Sequence, residues 1–196
     1  MLLVASNPVP SPVSNPPRRT LVLGGARSGK SAHAEGLLGD RDDDNPVRYV
    51  ATARRYPGDD DWEDRIDLHR RRRPASWTTV ETGGDGSLVD LLAAAGTHPP
   101  TLVDDLGTWL TCELDDAAAW DAPRGTIAPR TDALVDAVAG FDGRLLLVSP
   151  EVGLGVIPET RSGRLFRDEI GALNSRLAEV CDDVVLVIAA IAMPLK

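Results

Sequence analysis

The stretch Gly24-Gly25-Ala26-Arg27-Ser28-Gly29-Lys30-Ser31 constrains this chain more than any other, because it fits the pattern G-x-x-x-x-G-K-[ST]. The chemistry explains the spacing. Glycines let the backbone curl until successive N–H groups converge on phosphate oxygens, and the helix that follows adds its positive N-terminal end. Lys30 supplies a point charge to the outer phosphates, and the hydroxyl of Ser31 is placed to ligate Mg²⁺. The competing reading is a chance glycine loop. Context opposes it, since the apolar run Leu21–Leu23 precedes the stretch and the helix-patterned Ala32–Leu38 follows. Gly24, Gly25, Ala26, Arg27, Ser28, Gly29, Lys30 and Ser31 are therefore expected to cradle a nucleotide triphosphate.

Beyond Thr20 the chain alternates short apolar runs with helical patterns. Strands are expected over Thr20–Leu23, Val47–Ala51, Trp77–Val80, Thr101–Asp104, Arg144–Val148 and Asp183–Ile191. Helices are expected over Ser31–Leu38, Asp61–His69, Ser87–Ala95 closed by Gly96, Leu106–Leu114, Thr131–Ala139 and Leu165–Val180, with a long loop over Ser149–Ser162. Strands separated by helices imply βαβ units, hence an α/β fold with a mostly parallel sheet and helices on both faces. Ligands in such sheets bind beyond the carboxyl ends of the strands. Residues 1–18 are rich in Pro, Ser and Asn and read as a disordered extension, leaving 19–196 as a single domain.

A phosphate loop also needs an acid at a neighbouring strand end to hold the Mg²⁺ shell. Asp104 fits that role, with Asp105 the second candidate; a helix N-cap is the alternative for either. His69 closes a helical stretch and precedes Arg70-Arg71-Arg72-Arg73-Pro74. Neighbouring guanidiniums disfavour a protonated imidazole, and a neutral one can attack phosphorus while arginines clamp the phosphates. A surface helix end with solvated arginines is the plainer reading. The net charge of −9 argues against general nucleic-acid binding but not against a local phosphate cradle. No apolar run approaches a membrane span, and two cysteines, Cys112 and Cys181, suit buried thiols in a reducing compartment.

These residues together resemble the adenosylcobinamide kinase / adenosylcobinamide-phosphate guanylyltransferase family, from about Thr20 to Lys196. The phosphate loop continuing into Ala32-His33-Ala34-Glu35 is similar to that family's opening, and Tyr49-Val50-Ala51-Thr52-Ala53 to its second strand and nucleotide-contacting turn. Arg65-Ile66, His69, Arg73-Pro74 and Trp77 resemble its guanylylation segment; Leu102-Val103-Asp104 with Thr108-Trp109-Leu110 resembles its acidic strand. The most distinctive stretch is Glu151-Val152-Gly153-Leu154-Gly155-Val156-Ile157-Pro158-Glu159, followed by Arg161, Phe166-Arg167-Asp168 and Asn174, because it has no general phosphate-loop role. Asp105 departs from the pattern, standing where many members carry cysteine.

The resemblance implies a P-loop NTPase fold of the recombinase type, a cytoplasmic homotrimer, and two reactions on adenosylcobinamide and adenosylcobinamide phosphate, with Mg²⁺ and with ATP and GTP as substrates. It implies that Lys30 serves phosphoryl transfer, that Ser31 and Asp104 hold the metal, and that Ala51, Thr52, Ala53, Arg70, Arg71, Arg72, Arg73, Glu81 and Asp104 contact guanine nucleotide. His69 is implied as the nucleophile that takes GMP from GTP. The loop Glu151–Arg161 is a candidate wall of the corrinoid or nucleotide pocket, and Arg161, Arg164 and Arg167 are candidate phosphate contacts. A plain small-molecule kinase and a regulatory nucleotide-binding module are the competing functions.

Overall fold

The computed structural model describes residues 18–39, 46–54, 74–82 and 87–196. The expected extension over 1–18, apart from Arg18, and the expected helix over Asp61–His69 lie outside the described residues, as does the run Arg70–Arg73. In chain order the described elements are β1 (Arg19–Gly24), α1 (Lys30–Leu38), β2 (Arg48–Ala51), β3 (Thr78–Glu81), α2 (Leu88–Ala93), β4 (Thr101–Asp104), α3 (Leu106–Asp116), α4 (Ala128–Gly140), β5 (Leu145–Pro150), α5 (Arg161–Val180), β6 (Asp183–Ile188) and β7 (Ile191–Pro194).

The strands form one sheet in the order β3-β2-β4-β5-β1-β6-β7, parallel throughout except for the antiparallel pair β6–β7. Side chains on successive strand residues point to opposite faces, so an unbroken apolar strand feeds two cores at once. Leu21, Leu23, Val103, Leu145 and Leu147 pack against α2, α3, α4 and α5. Val22, Leu102, Leu146 and Val148 face the other way, onto Ala34 and Leu38 of α1 and the rings of Tyr49 and Trp77. This is the two-faced burial that the apolar runs predict. No helix among the described residues is long and apolar enough to cross a membrane.

Several boundaries differ from expectation, each for a local reason. Helix α5 begins at Arg161 rather than Leu165, because the Thr160 side chain accepts the Gly163 N–H and opens the helix a turn earlier. Helix α4 begins at Ala128 rather than Thr131; Pro129 sits in its first turn, where a missing N–H has no intrahelical partner to lose. Ser149 and Pro150 extend β5 rather than open the loop, pairing with Leu23 and Gly24. Helix α2 stops at Ala93, where Ala94 turns extended, so Gly96 lies past its end.

The largest difference is at the last strand. Instead of one strand over Asp183–Ile191 there is a hairpin, with Ile188 opposite Ile191 and a two-residue turn at Ala189 and Ala190. Both turn residues have positive φ, 50° and 63°, the backbone that a tight hairpin demands and that Gly or Asn usually supplies. Alanine carries no turn signal, so the break is invisible in the sequence.

Candidate active site

Parallel strands bring their carboxyl ends to a common edge. There Gly24 of β1 sits beside Pro150 of β5, while Ala51 of β2 lies between Asp104 of β4 and Glu81 of β3. The phosphate loop leaves β1 at this edge. A side chain at Gly24 would meet the Val187 carbonyl at 2.8 Å, so only glycine lets the loop turn this close to β6. Gly29 holds φ 93° at the N-cap of α1, and a Cβ there would lie 3.2 Å from the Cα of Ala190. The loop is braced from the hairpin side, where the Ala190 N–H donates to the Ser28 carbonyl at 2.8 Å. From within, the Lys30 N–H donates to the buried Ser28 hydroxyl at 3.3 Å. The Lys30 ammonium folds back over the loop and donates to the Gly25 carbonyl at 3.4 Å. Ala26 and Arg27 are exposed at the loop's outer bend, Arg27 with φ 56°.

The two neighbouring acids are used differently. Asp104 faces the phosphate loop: its Oδ1 accepts from the Ser31 hydroxyl at 3.1 Å, and its Oδ2 accepts from the Tyr49 phenol at 2.6 Å. Asp105 turns inward and caps α3, accepting the Thr108 N–H at 2.9 Å. Burial, and then the adjacent Asp104 charge, push the Asp105 carboxyl above the usual range, opposed by its bonds from Thr108. The oxygens of Ser31 and Asp104 form a hard, anionic donor pair at the mouth of the phosphate loop. That chemistry fits Mg²⁺, which takes one or two protein oxygens and completes its shell with water and phosphate.

The remaining expected contacts divide. Ala51, Ala53 and Glu81 lie at the carboxyl edge, Glu81 exposed and the two alanines half-buried. Thr52 also reaches that edge, but its side chain is buried and its hydroxyl donates to the Asp105 carbonyl at 2.6 Å. Its hydroxyl therefore fastens the end of β2 to the start of α3, and its N–H donates to the Asp104 carbonyl at 3.4 Å. Arg161, Arg164 and Arg167 donate to backbone carbonyls, those of Trp120 and Ala122, of Pro158 and Glu159, and of Gly153, and Arg161 also pairs with Asp121. His69, Arg70, Arg71, Arg72 and Arg73 lie outside the described residues. Two participants escape sequence reasoning as site residues. Tyr49 reads only as a position in the second strand, and its bond to Asp104 depends on β2 lying next to β4. Ala190 meets the phosphate loop only because β6 lies next to β1.

Residues 20–195 match the family described as cobinamide kinase / cobinamide phosphate guanyltransferase, CobU. The bifunctional adenosylcobalamin biosynthesis protein CobP of Pseudomonas aeruginosa is 41% identical over 91% of this chain and 97% of its own length. The bifunctional adenosylcobalamin biosynthesis protein CobU of Salmonella typhimurium is 38% identical, over 90% of this chain and 98% of its own length. Among solved structures, a prototypical ATPase from the type III secretion system of pathogenic bacteria superposes with a TM-score of 0.50 at 9% identity, covering 86% of this chain and 50% of that one. At that identity the likeness is one of fold, a P-loop α/β sheet. With a family match spanning the described phosphate loop, both acidic residues and the hairpin, this chain belongs to the cobinamide kinase / cobinamide phosphate guanyltransferase family.

Proposed function

We propose that the phosphate loop and the Asp104 strand end carry the kinase reaction of this family in the present chain, and that His69 carries the guanylyl transfer. The single observation behind the first half is the 3.1 Å bond from Ser31 to Asp104, which joins the phosphate loop to an acid on a different strand. In the first reaction the hydroxyl of the aminopropanol arm of adenosylcobinamide attacks the γ-phosphorus of ATP or GTP, and the bond to the β-phosphate oxygen breaks. Lys30 exchanges its Gly25 carbonyl for a phosphate oxygen and stabilises the charge that develops there. The loop's N–H groups and the N-terminal end of α1 hold the phosphates in line. Ser31 and Asp104 hold Mg²⁺, which when bound supplies counter-charge to the phosphate oxygens.

In the second reaction the neutral imidazole of His69 attacks the α-phosphorus of GTP and expels pyrophosphate. A phosphate oxygen of adenosylcobinamide phosphate then attacks the GMP-histidine, releasing the imidazole and giving adenosylcobinamide-GDP. Splitting the transfer in two gives each step a good leaving group. Arg70, Arg71, Arg72 and Arg73 clamp the phosphates, while Ala51, Thr52, Ala53 and Glu81 border the guanine nucleotide. Support for this half is the resemblance of Arg65-Ile66, His69, Arg73-Pro74 and Trp77 to the family's guanylylation segment, within the span 20–195 that the family match covers. The enzyme works in the cytoplasm as a homotrimer, on corrinoid and nucleotide rather than nucleic acid. The exposed apolar row on the β7 edge, Ile191, Met193 and Leu195, suits a subunit contact.

The kinase half is tested by mass-spectrometric detection of phosphorylated cobinamide with ATP or GTP and Mg²⁺. Lys30→Ala is expected to lower the rate about 100-fold or more. A variant as fast as the unmodified chain would remove the phosphate loop from the reaction.

A further inference from the structure

Large exposed apolar side chains among the described residues fall into two groups, Val152–Ile157 and Ile188–Leu195. In the first, Val152 is 37% exposed, Leu154 79%, Val156 95% and Ile157 69%. The loop is fastened on both sides of these side chains. The Glu151 N–H donates to the Gly24 carbonyl at 3.0 Å, which ties the loop's root to the first residue of the phosphate loop. Arg167 grips the Gly153 carbonyl at 2.6 Å, and Arg164 grips those of Pro158 at 2.9 Å and Glu159 at 2.6 Å. A segment anchored at both ends that holds apolar side chains out into water beside the phosphate loop is suited to be covered by a ligand.

A nucleotide is a poor occupant, since these side chains offer neither hydrogen bonds nor charge to a base or phosphate. The acceptor is a better one. A corrinoid is a broad macrocycle with apolar faces and a polar fringe, and it must lay its bulk beside the phosphate loop while its arm enters. We propose that Val152, Leu154, Val156 and Ile157 form the platform on which the corrin face of the acceptor rests. The proposal rests on the family reading of the function and adds the place where that substrate is held. The loop is thus a pre-organised acceptor subsite, separate from the residues that handle phosphate.

The test replaces Leu154 and Val156 together by serine, side chains whose loss leaves the arginine-to-carbonyl bonds in place. Equilibrium binding of cobinamide is followed by its visible absorbance, with KM and kcat for cobinamide and KM for ATP measured alongside. Molecular mass is measured by light scattering. The platform predicts that Kd and KM for cobinamide rise about tenfold or more, with the KM for ATP and the mass unchanged. Ile191→Ser with Met193→Ser, on the other exposed group, is predicted to leave the Kd for cobinamide unchanged. If the loop variant keeps the cobinamide constants of the unmodified chain, or only the β7 variant changes them, the proposal falls while the family reading stands. If the loop variant lowers the mass, the loop is a subunit contact and the proposal falls as well. An unmodified chain that neither binds nor phosphorylates cobinamide removes the reading and the platform together.

Discussion

Asp104 and Asp105 are adjacent in the chain, and composition alone treats them as interchangeable. Their surroundings separate them: Asp104 accepts from Ser31 and Tyr49 at the carboxyl edge, whereas Asp105 is buried and caps α3. Asp104→Asn is therefore expected to lower cobinamide phosphorylation about 100-fold or more, since it removes the charge next to the phosphate loop. Asp105→Asn keeps a capping oxygen and should leave kcat/KM within a few-fold. Asp105→Ala should instead cost about 1 kcal/mol in denaturant unfolding. Equal kinetic losses in both asparagine variants would contradict this division. The phosphate loop itself was legible in the sequence because its glycines, lysine and serine act at fixed positions along one short stretch of chain. The split between the two acids was not, since both metal binding and helix capping suit an aspartate at a strand end. Only the relative direction of the two side chains decides between them.

At the scale of elements, the strand-helix alternation was readable because burial on both sheet faces demands unbroken apolar strands. Errors gathered where a single side chain or an unusual backbone sets a boundary: the Thr160 cap, Pro129 in a first turn, and the Ala189-Ala190 turn. The last of these reaches function. The hairpin presses Ala190 against Gly29 and donates an N–H to Ser28, so the turn acts as a brace on the phosphate loop. Ala190→Val puts a β-branched side chain into a left-handed conformation and crowds Gly29. It is expected to cost about 1–2 kcal/mol of stability and to raise the KM for ATP several-fold. Ala190→Gly accepts the same backbone and should keep the KM near that of the unmodified chain. If valine raises KM no more than glycine does, the turn is not a brace.

For the whole molecule, strand order is what the sequence withheld. Nothing local says that β1 lies between β5 and β6 or that β4 lies beside β2, yet that order brings Tyr49 to Asp104 and Ala190 to Ser28. The family was legible from the motifs, and the match over residues 20–195 bears that resemblance out. The β7 edge belongs to this scale too. Light scattering is expected to give a trimer mass for the unmodified chain and the monomer mass for Ile191→Ser with Met193→Ser, because the exposed apolar row on that edge has been made polar. An unchanged trimer would move the subunit contact elsewhere. The central claim, that one chain both phosphorylates cobinamide and carries GMP on His69, is tested most directly by incubation with α-³²P-GTP and Mg²⁺ followed by denaturing electrophoresis. The account predicts an acid-labile label on the unmodified chain that His69→Ala lacks, with cobinamide phosphorylation still present in that variant. A label that survives in His69→Ala, or no label on either chain, would contradict it.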